Sequence, residues 1–189
     1  MVNKILAGVD EVGRGCLAGP IISCALILKK NINKKFIRDS KSIPFKDRIE
    51  IAKYIKKNSW YAIGSASVNE IDKYNIFNAT LLSMERAARK LKKKPYIFLV
   101  DGTHTPKKLK NSKAIIKGDQ KIKCISAASI VAKVYRDLYM IKLGSKFPQY
   151  RWNKNFGYGT WQHLNALKKF GVTNYHRKSY KPVHNILSK

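Results

Sequence analysis

The chain has 189 residues, the length of one ordinary domain with room for a small appendage. It carries 39 Lys and Arg against 11 Asp and Glu, a net charge of +28, yet 44% of its residues are hydrophobic, enough for a real core and too many for a disordered basic tail. No apolar stretch reaches about 18 residues, which excludes a membrane-spanning helix, and three cysteines without CxxC spacing (Cys16, Cys24, Cys124) argue against a disulfide framework or a structural zinc site.

Met1-Val2-Asn3-Lys4 runs straight into a strand-like segment, so no secretory leader is expected and a reducing cytoplasm fits. Residues 4–10 read as a short buried strand, followed by a turn at Gly13-Arg14-Gly15. Residues 17–28 read as a second strand, with Pro20 marking an edge or bulge. Asp39-Ser40-Lys41-Ser42 is a polar loop, and the spacing of Ile49, Ala52 and Ile55 predicts a helix over 45–58. Residues 59–68 are strand-like. Asn69 is the expected cap of a helix running to Lys92, with Glu70 and Asp72 in its first turn. Strands are expected at 95–100 and around 114–116, the latter closed by Gly118. Residues 126–142 form a helix with an apolar stripe of Ile130, Val131, Val134, Leu138 and Ile141. An aromatic loop follows over 147–158, then a short helix over 161–170 that Gly171 ends, then an irregular tail from His176. Interleaved strands and helices make this an α/β layered domain. We expect residues 1–145 to form the main domain and 146–189 a helical extension packed on it as one structural unit.

The charge alone points to nucleic acid, because each neutralised phosphate releases counterions. A non-catalytic basic binding protein would share that property. The few acids say more. Asp10 and Glu11 follow Ile5-Leu6-Ala7-Gly8-Val9, Asp101 follows Ile97-Phe98-Leu99-Val100, and Asp119 follows Ile115-Ile116-Lys117-Gly118. Each set ends a short hydrophobic run, which suggests acids converging at one sheet edge. Such a cluster is tolerable only when cations neutralise it, and oxygen-only ligands suit Mg²⁺ or Mn²⁺. In a basic protein this suggests two-metal phosphodiester hydrolysis, whereas a pure binder would avoid acids that repel phosphate. Asp10 and Glu11 are adjacent, so in a regular strand they face opposite sides. Either the strand twists or bulges there, or one residue contributes its backbone carbonyl; Asp10 is favoured as the central side-chain ligand. The other acids, Asp137 among them, read as turn or cap carboxylates. Lys133 and Arg136, at i, i+3, face either a duplex or solvent. His163 and His184 read as surface or packing residues, and Cys16 as a small packing residue.

The run Asp10-Glu11-Val12-Gly13-Arg14-Gly15-Cys16-Leu17-Ala18-Gly19-Pro20 resembles the opening motif of type 2 ribonucleases H, in particular the bacterial ribonuclease HII family. The resemblance continues through Asp39-Ser40-Lys41, Val100-Asp101-Gly102, Lys117-Gly118-Asp119, the segment 126–137, Phe147-Pro148-Gln149-Tyr150, Gly157-Tyr158-Gly159-Thr160 and His176-Arg177-Lys178-Ser179, in family order over almost the whole chain. It implies a ribonuclease H-like mixed sheet flanked by helices, with a C-terminal helical extension. It implies endonucleolytic cleavage of RNA in RNA/DNA hybrids and nicking 5′ of single ribonucleotides in duplex DNA, leaving 3′-hydroxyl and 5′-phosphate ends, in ribonucleotide and RNA-primer removal. Its metal-binding and catalytic acids map onto Asp10, Glu11, Asp101 and Asp119, and its metals are Mn²⁺ or Mg²⁺. The reader of the ribose 2′-hydroxyl maps onto Gly13, Arg14, Gly15 and Tyr158, while Ser40 and Lys41 are the expected phosphate contacts. The expected partners are hybrid and ribonucleotide-containing duplexes, with no membrane, for a monomer. The chain departs from the resembled pattern where Asn155-Phe156 replaces a frequent His-Lys pair. The Gly-Arg-Gly loop, and the expectation of no N-terminal extension, argue against the sister type, ribonuclease HIII.

Overall fold

The computed structural model describes residues 5–37 and 43–188. Five strands form one mixed sheet. β1 (Leu6–Val12) lies at its centre, antiparallel to β2 (Ile21–Leu28), which is antiparallel to β3 (Ser59–Ala66). On its other side β1 pairs in parallel with β4 (Ile97–Asp101), and β4 with the short β5 (Ser112–Ile115), giving the order β3-β2-β1-β4-β5. α1 (Phe45–Lys57) joins β2 to β3, and α2 (Val68–Lys90) joins β3 to β4. After β5 come the single turn α3 (Gly118–Lys121) and the long α4 (Lys123–Lys146). The chain ends with α5 (Trp152–Asn155), α6 (Trp161–Phe170) and α7 (Lys181–Leu187).

The two faces of the sheet follow from strand alternation. Ile22, Cys24 and Leu26 of β2 pack against Ala128, Val131 and Ala132 of α4 and Ile55 of α1. Ala25 and Ile27 face the other way and join Ala7 and Val9 of β1, Val100 of β4, and Met84 and Ala87 of α2. With both faces covered, β1 reads as a continuous apolar run rather than an alternating one. A third core holds Leu17 and Ala18 with Met140 and Leu143 of α4, Trp152 of α5, Leu167 of α6 and Val183 of α7. Among the described residues, no helix is long and apolar enough to cross a membrane.

Several elements differ from the sequence reading. The second strand begins at Ile21, because residues 16–19 are drawn away: the Leu17 amide donates to Gly157 O at 2.8 Å, and the Arg177 amide donates to Leu17 O at 2.8 Å. The cap of α2 is Ser67, in a reciprocal capping box with Glu70, rather than Asn69. α2 breaks at Asn75, whose φ is 64°. α4 starts at Lys123, three residues before the expected Ser126. The 147–158 loop contains a 3-10 turn, Pro148–Tyr150, and α5. The tail is not wholly irregular, since Tyr180 and Pro182 start α7. Asp137 is no turn carboxylate: it is wholly buried on α4, 3.2 Å from Arg48 and 2.8 Å from Lys133.

The helix α4 comes very close to β1 because Gly8 has no side chain. A Cβ there would lie 2.2 Å from the Cys124 carbonyl carbon, backbone that cannot swing aside. We expect Gly8→Ala to lower the thermal midpoint by about 5–10 °C, the cost of overpacking a rigid contact; thermal denaturation by circular dichroism checks it.

Candidate active site

Val9 of β1 is paired with Val100 of β4, the last pair in that parallel ladder. The next residues, Asp10 and Asp101, therefore stand side by side where β1 and β4 part, each still paired on its other flank, Asp10 with Cys24 of β2 and Asp101 with Ile115 of β5. Asp10, Glu11 and Asp101 each bring a carboxylate oxygen within 4.8 Å of the others, and they are the group so arranged among the described residues. Both adjacent side chains, Asp10 and Glu11, reach the cluster. The Glu11 amide donates to Asp10 Oδ1 at 2.7 Å, turning that carboxylate along the strand, and the longer Glu11 chain reaches around from beyond the last β1–β4 pair. Asp101 Oδ1 accepts the Gly118 amide at 2.6 Å and the Asp119 amide at 3.3 Å. A left-handed Lys117 (φ 54°) makes the turn that aims these two amides. Asp119 thus reaches the same edge through its main chain, but its carboxylate lies outside the 4.8 Å group. Its carbonyl oxygen accepts the Ser126 hydroxyl.

Burial raises the Asp10 carboxyl well above the usual range, with Glu11 and Asp101 adding to it and Ser129 and the Glu11 amide opposing. Burial also raises Glu11, against the pull of Arg14, with Asp101 adding. The Arg14–Glu11 pair, at 3.5 Å, is half exposed on the Arg14 side and offsets little. Glu11 Oε2 is buried without a hydrogen-bond partner. Three converging carboxylates, one orphaned oxygen and no softer donor in the group are what a hard divalent cation needs. Asp10, Glu11 and Asp101 therefore fit such an ion.

Beside the acids lies the loop 13–15. Gly13 is required here: its φ is 99°, and a Cβ would meet Arg136 Nε at 2.2 Å. Gly15 differs. It has no positive φ, and a Cβ on it would meet nothing within 4 Å. Neither backbone nor packing demands glycine at 15, and the space in front of it is open. Tyr158 stands next to this loop, because Cys16 and Tyr158 form an isolated antiparallel bridge. Its ring is part exposed, with the Lys133 ammonium 5.8 Å from the ring centroid. Burial of its other side raises its phenol above the ordinary value.

Two wholly buried arginines hold this arrangement. Arg136 donates to the carbonyls of Pro20 (3.0 Å), Phe156 (2.9 Å) and Ala18 (2.9 Å). Arg177 donates to Gly19 O at 3.0 and 2.9 Å and to Arg14 O at 2.9 Å. The Tyr180 hydroxyl donates to the same Arg14 carbonyl at 2.5 Å. The spacing of Lys133 and Arg136 left two faces open; Arg136 turns inward as scaffold, and Lys133 stays at the rim. Asn155 braces the loop, accepting the Gly157 amide at 2.9 Å and donating to Tyr150 O at 2.8 Å. Asp39, Ser40 and Lys41 lie outside the described residues.

A carboxyl whose folded pKa is raised stabilises the native state below its unfolded pKa, and that contribution is lost as pH rises through the folded value. At neutral pH without divalent ions, the buried Asp10 charge is thus a cost. We expect Asp10→Asn to raise the thermal midpoint in chelator by about 2–5 °C, and the gain to vanish below about pH 4, where the unfolded carboxyl also holds its proton. A pH series of melting curves checks this.

Comparison with known proteins supplies the context. The family model of ribonuclease HII matches residues 7–183. A ribonuclease HII of Pelagibacter ubique (strain HTCC1062) is 55% identical over 186 residues, covering 97% of this chain and 100% of that protein. The crystal structure of ribonuclease H2 from Pyrococcus horikoshii OT3 superposes with a TM-score of 0.82 at 24% identity, covering 97% of each chain. Bst-RNase HIII in complex with Mn²⁺ superposes with a TM-score of 0.75 at 14% identity, covering 98% of this chain and 70% of that one. The architecture is that of a ribonuclease H-like mixed sheet with flanking helices, as the sequence motifs imply. On sequence matched over nearly its whole length, this chain belongs to the ribonuclease HII family of endoribonucleases.

Proposed function

We propose that this protein cuts the RNA strand of RNA/DNA hybrids and nicks duplex DNA on the 5′ side of a single embedded ribonucleotide, leaving 3′-hydroxyl and 5′-phosphate ends. Its place would be ribonucleotide and RNA-primer removal. The observation that carries this reading is the meeting of Asp10, Glu11 and Asp101 at one sheet edge, two of them with raised pKa, beside a glycine that faces open space. A non-catalytic basic binder gains nothing from gathering buried acids where phosphates approach.

Asp10, Glu11 and Asp101 would hold the divalent cation, with Asp119 contributing from α3. When bound, Mg²⁺ or Mn²⁺ supplies activation of the attacking water and stabilisation of the leaving 3′-oxygen, as in two-metal hydrolysis. The Mn²⁺ complex of the structurally similar ribonuclease HIII supports a hard ion of this kind. The chain's own residues do the rest. The main chain of Gly13, Arg14 and Gly15 approaches the ribose, and the missing Cβ at 15 leaves room for the 2′-hydroxyl. Arg177 and Tyr180 hold the Arg14 carbonyl, so the loop meets the sugar as a rigid edge. The Tyr158 hydroxyl bonds the 2′-oxygen, and its ring presents to the next sugar, selecting a junction with DNA. Ser40 and Lys41 position the backbone phosphates without reading bases, so cleavage follows sugar identity over sequence.

A duplex with one ribonucleotide, its all-deoxy twin, Mn²⁺ and a chelator make the test. The expected result is a nick in the ribonucleotide duplex only, and only with the metal. Asp10→Asn should abolish turnover while duplex binding survives. Wild-type cleavage by that variant, purified free of host enzyme, would sink the mechanism. Gly15→Ala should keep its melting midpoint yet lose about tenfold to a hundredfold in cleavage, as small misplacements at a reacting group do.

A further inference from the structure

Two buried imidazoles take no part in the chemistry above. His163, on the first turn of α6, and His176 are both wholly buried, and neither has a carboxylate beside it among the described ion pairs. A neutral imidazole has one N–H and one acceptor nitrogen, so its partners decide which is which. The Thr173 amide, a donor only, points at His176 Nδ1 from 3.0 Å, with the Thr173 hydroxyl at 2.9 Å. His176 Nδ1 is therefore the acceptor and Nε2 carries the proton. That Nε2 lies 3.1 Å from His163 Nε2. The indole of Trp152, also a donor only, reaches the same His163 Nε2 from 3.0 Å. His163 Nε2 is thus bare, its proton sits on Nδ1, and Nδ1–H donates to the main-chain carbonyl of Tyr158 at 2.9 Å. Every proton position is set by a donor that has no alternative. Burial holds both rings below the ordinary imidazole value, His176 at about 3, in keeping with a neutral pair.

We infer that His163 is a positioning residue for Tyr158, its Nδ1–H fixing the peptide from which that ring projects toward the ribose. The inference deepens the reading of Tyr158 given above and rests on it. Tyr158 lies in the short link between α5 and α6, where its amide is anchored by Asn155 O at 2.9 Å. Its carbonyl accepts both the imidazole N–H and the Thr160 amide, the latter at 2.9 Å, and of these the imidazole is the side-chain anchor. With both ends of the residue held, the Cα–Cβ direction is set, and the ring arrives pre-organised. His176 and Thr173 act one step further back, dictating which nitrogen of His163 bears the proton.

Two substitutions separate this role from packing. Asn places its amide nitrogen where Nδ1 stood and keeps the donor to Tyr158. Gln places its amide near Nε2, keeping a partner for Trp152 and losing Tyr158. The measured quantity is the ratio of kcat/KM on a single embedded ribonucleotide to kcat/KM on an RNA/DNA hybrid. We expect His163→Asn to hold the ratio within about threefold and His163→Gln to change it by about tenfold or more. Equal ratios in the two variants, or loss in Asn with retention in Gln, overturn the proposal. Should either variant fail to fold, ¹⁵N-imidazole spectra of the wild-type protein decide: the expected pattern is a proton on His163 Nδ1 and on His176 Nε2. A proton on His163 Nε2 near neutral pH overturns it. If Tyr158→Ala leaves the ratio unchanged, the reading of Tyr158 falls and the positioning role with it, whereas the spectra are indifferent to that reading.

Discussion

The parallel pairing of β1 with β4 sets where negative charge can gather in this molecule. Its last rung, Val9 with Val100, leaves two aspartates abreast at the point where hydrogen bonding between the strands stops. Like charges so close would drive the strands apart were the register not fixed elsewhere. It is fixed by the packed faces: Val9 and Val100 are buried in the α2 core, and Gly8 seats α4 on the opposite side. A one-residue slip would exchange the faces and expel Val9 from its core. The sheet therefore holds the acids together against their own repulsion, and the unspent charge is what suits the place to a divalent ion.

A second constraint links the start of the chain to its end. The loop 13–20, which follows the acids of β1, is tied to the links around 157 and 177 by main-chain hydrogen bonds and two isolated bridges, Cys16 with Tyr158 and Ala18 with His176, outside the sheet. Arg136 and Arg177 hold them by their carbonyls, buried where a guanidinium needs several acceptors at once. Fixing these loops in a water-poor setting limits their motion to that of the core beneath them. The aromatic packing around Trp152, including Tyr150 stacked at 5.0 Å, completes the support from α5 and α6.

Much of this was legible in the letters. An apolar run that ends in an acid marks a strand leaving the core, and three such endings pointed to one edge. The geometry of Asp119 was not legible, since a left-handed lysine turns the chain after β5 and places that residue inside a four-residue helix. Nor could spacing tell that Arg136 turns inward while Lys133, one turn away, stays at the rim. Both are long and cationic, and only the carbonyls of residues 18, 20 and 156, distant in sequence, decide between them. Asp137 misled for the same reason, because its partners come from α1 and from the preceding turn of its own helix. Ser67 outcompeted Asn69 as cap because Glu70 stands three places after it and returns the hydrogen bond.

The grip of Arg136 is on the polymer itself. Carbonyl oxygens are the same on every residue, so the guanidinium is blind to which amino acid carries them. To this joint, positions 18, 20 and 156 lend only their carbonyls; what fixes their side chains is other, the third core around Ala18 and the left-handed turn at Phe156. At residue 156 the joint asks only for an oxygen in the right place, whereas residue 155 works through its side chain, which braces Gly157 and Tyr150.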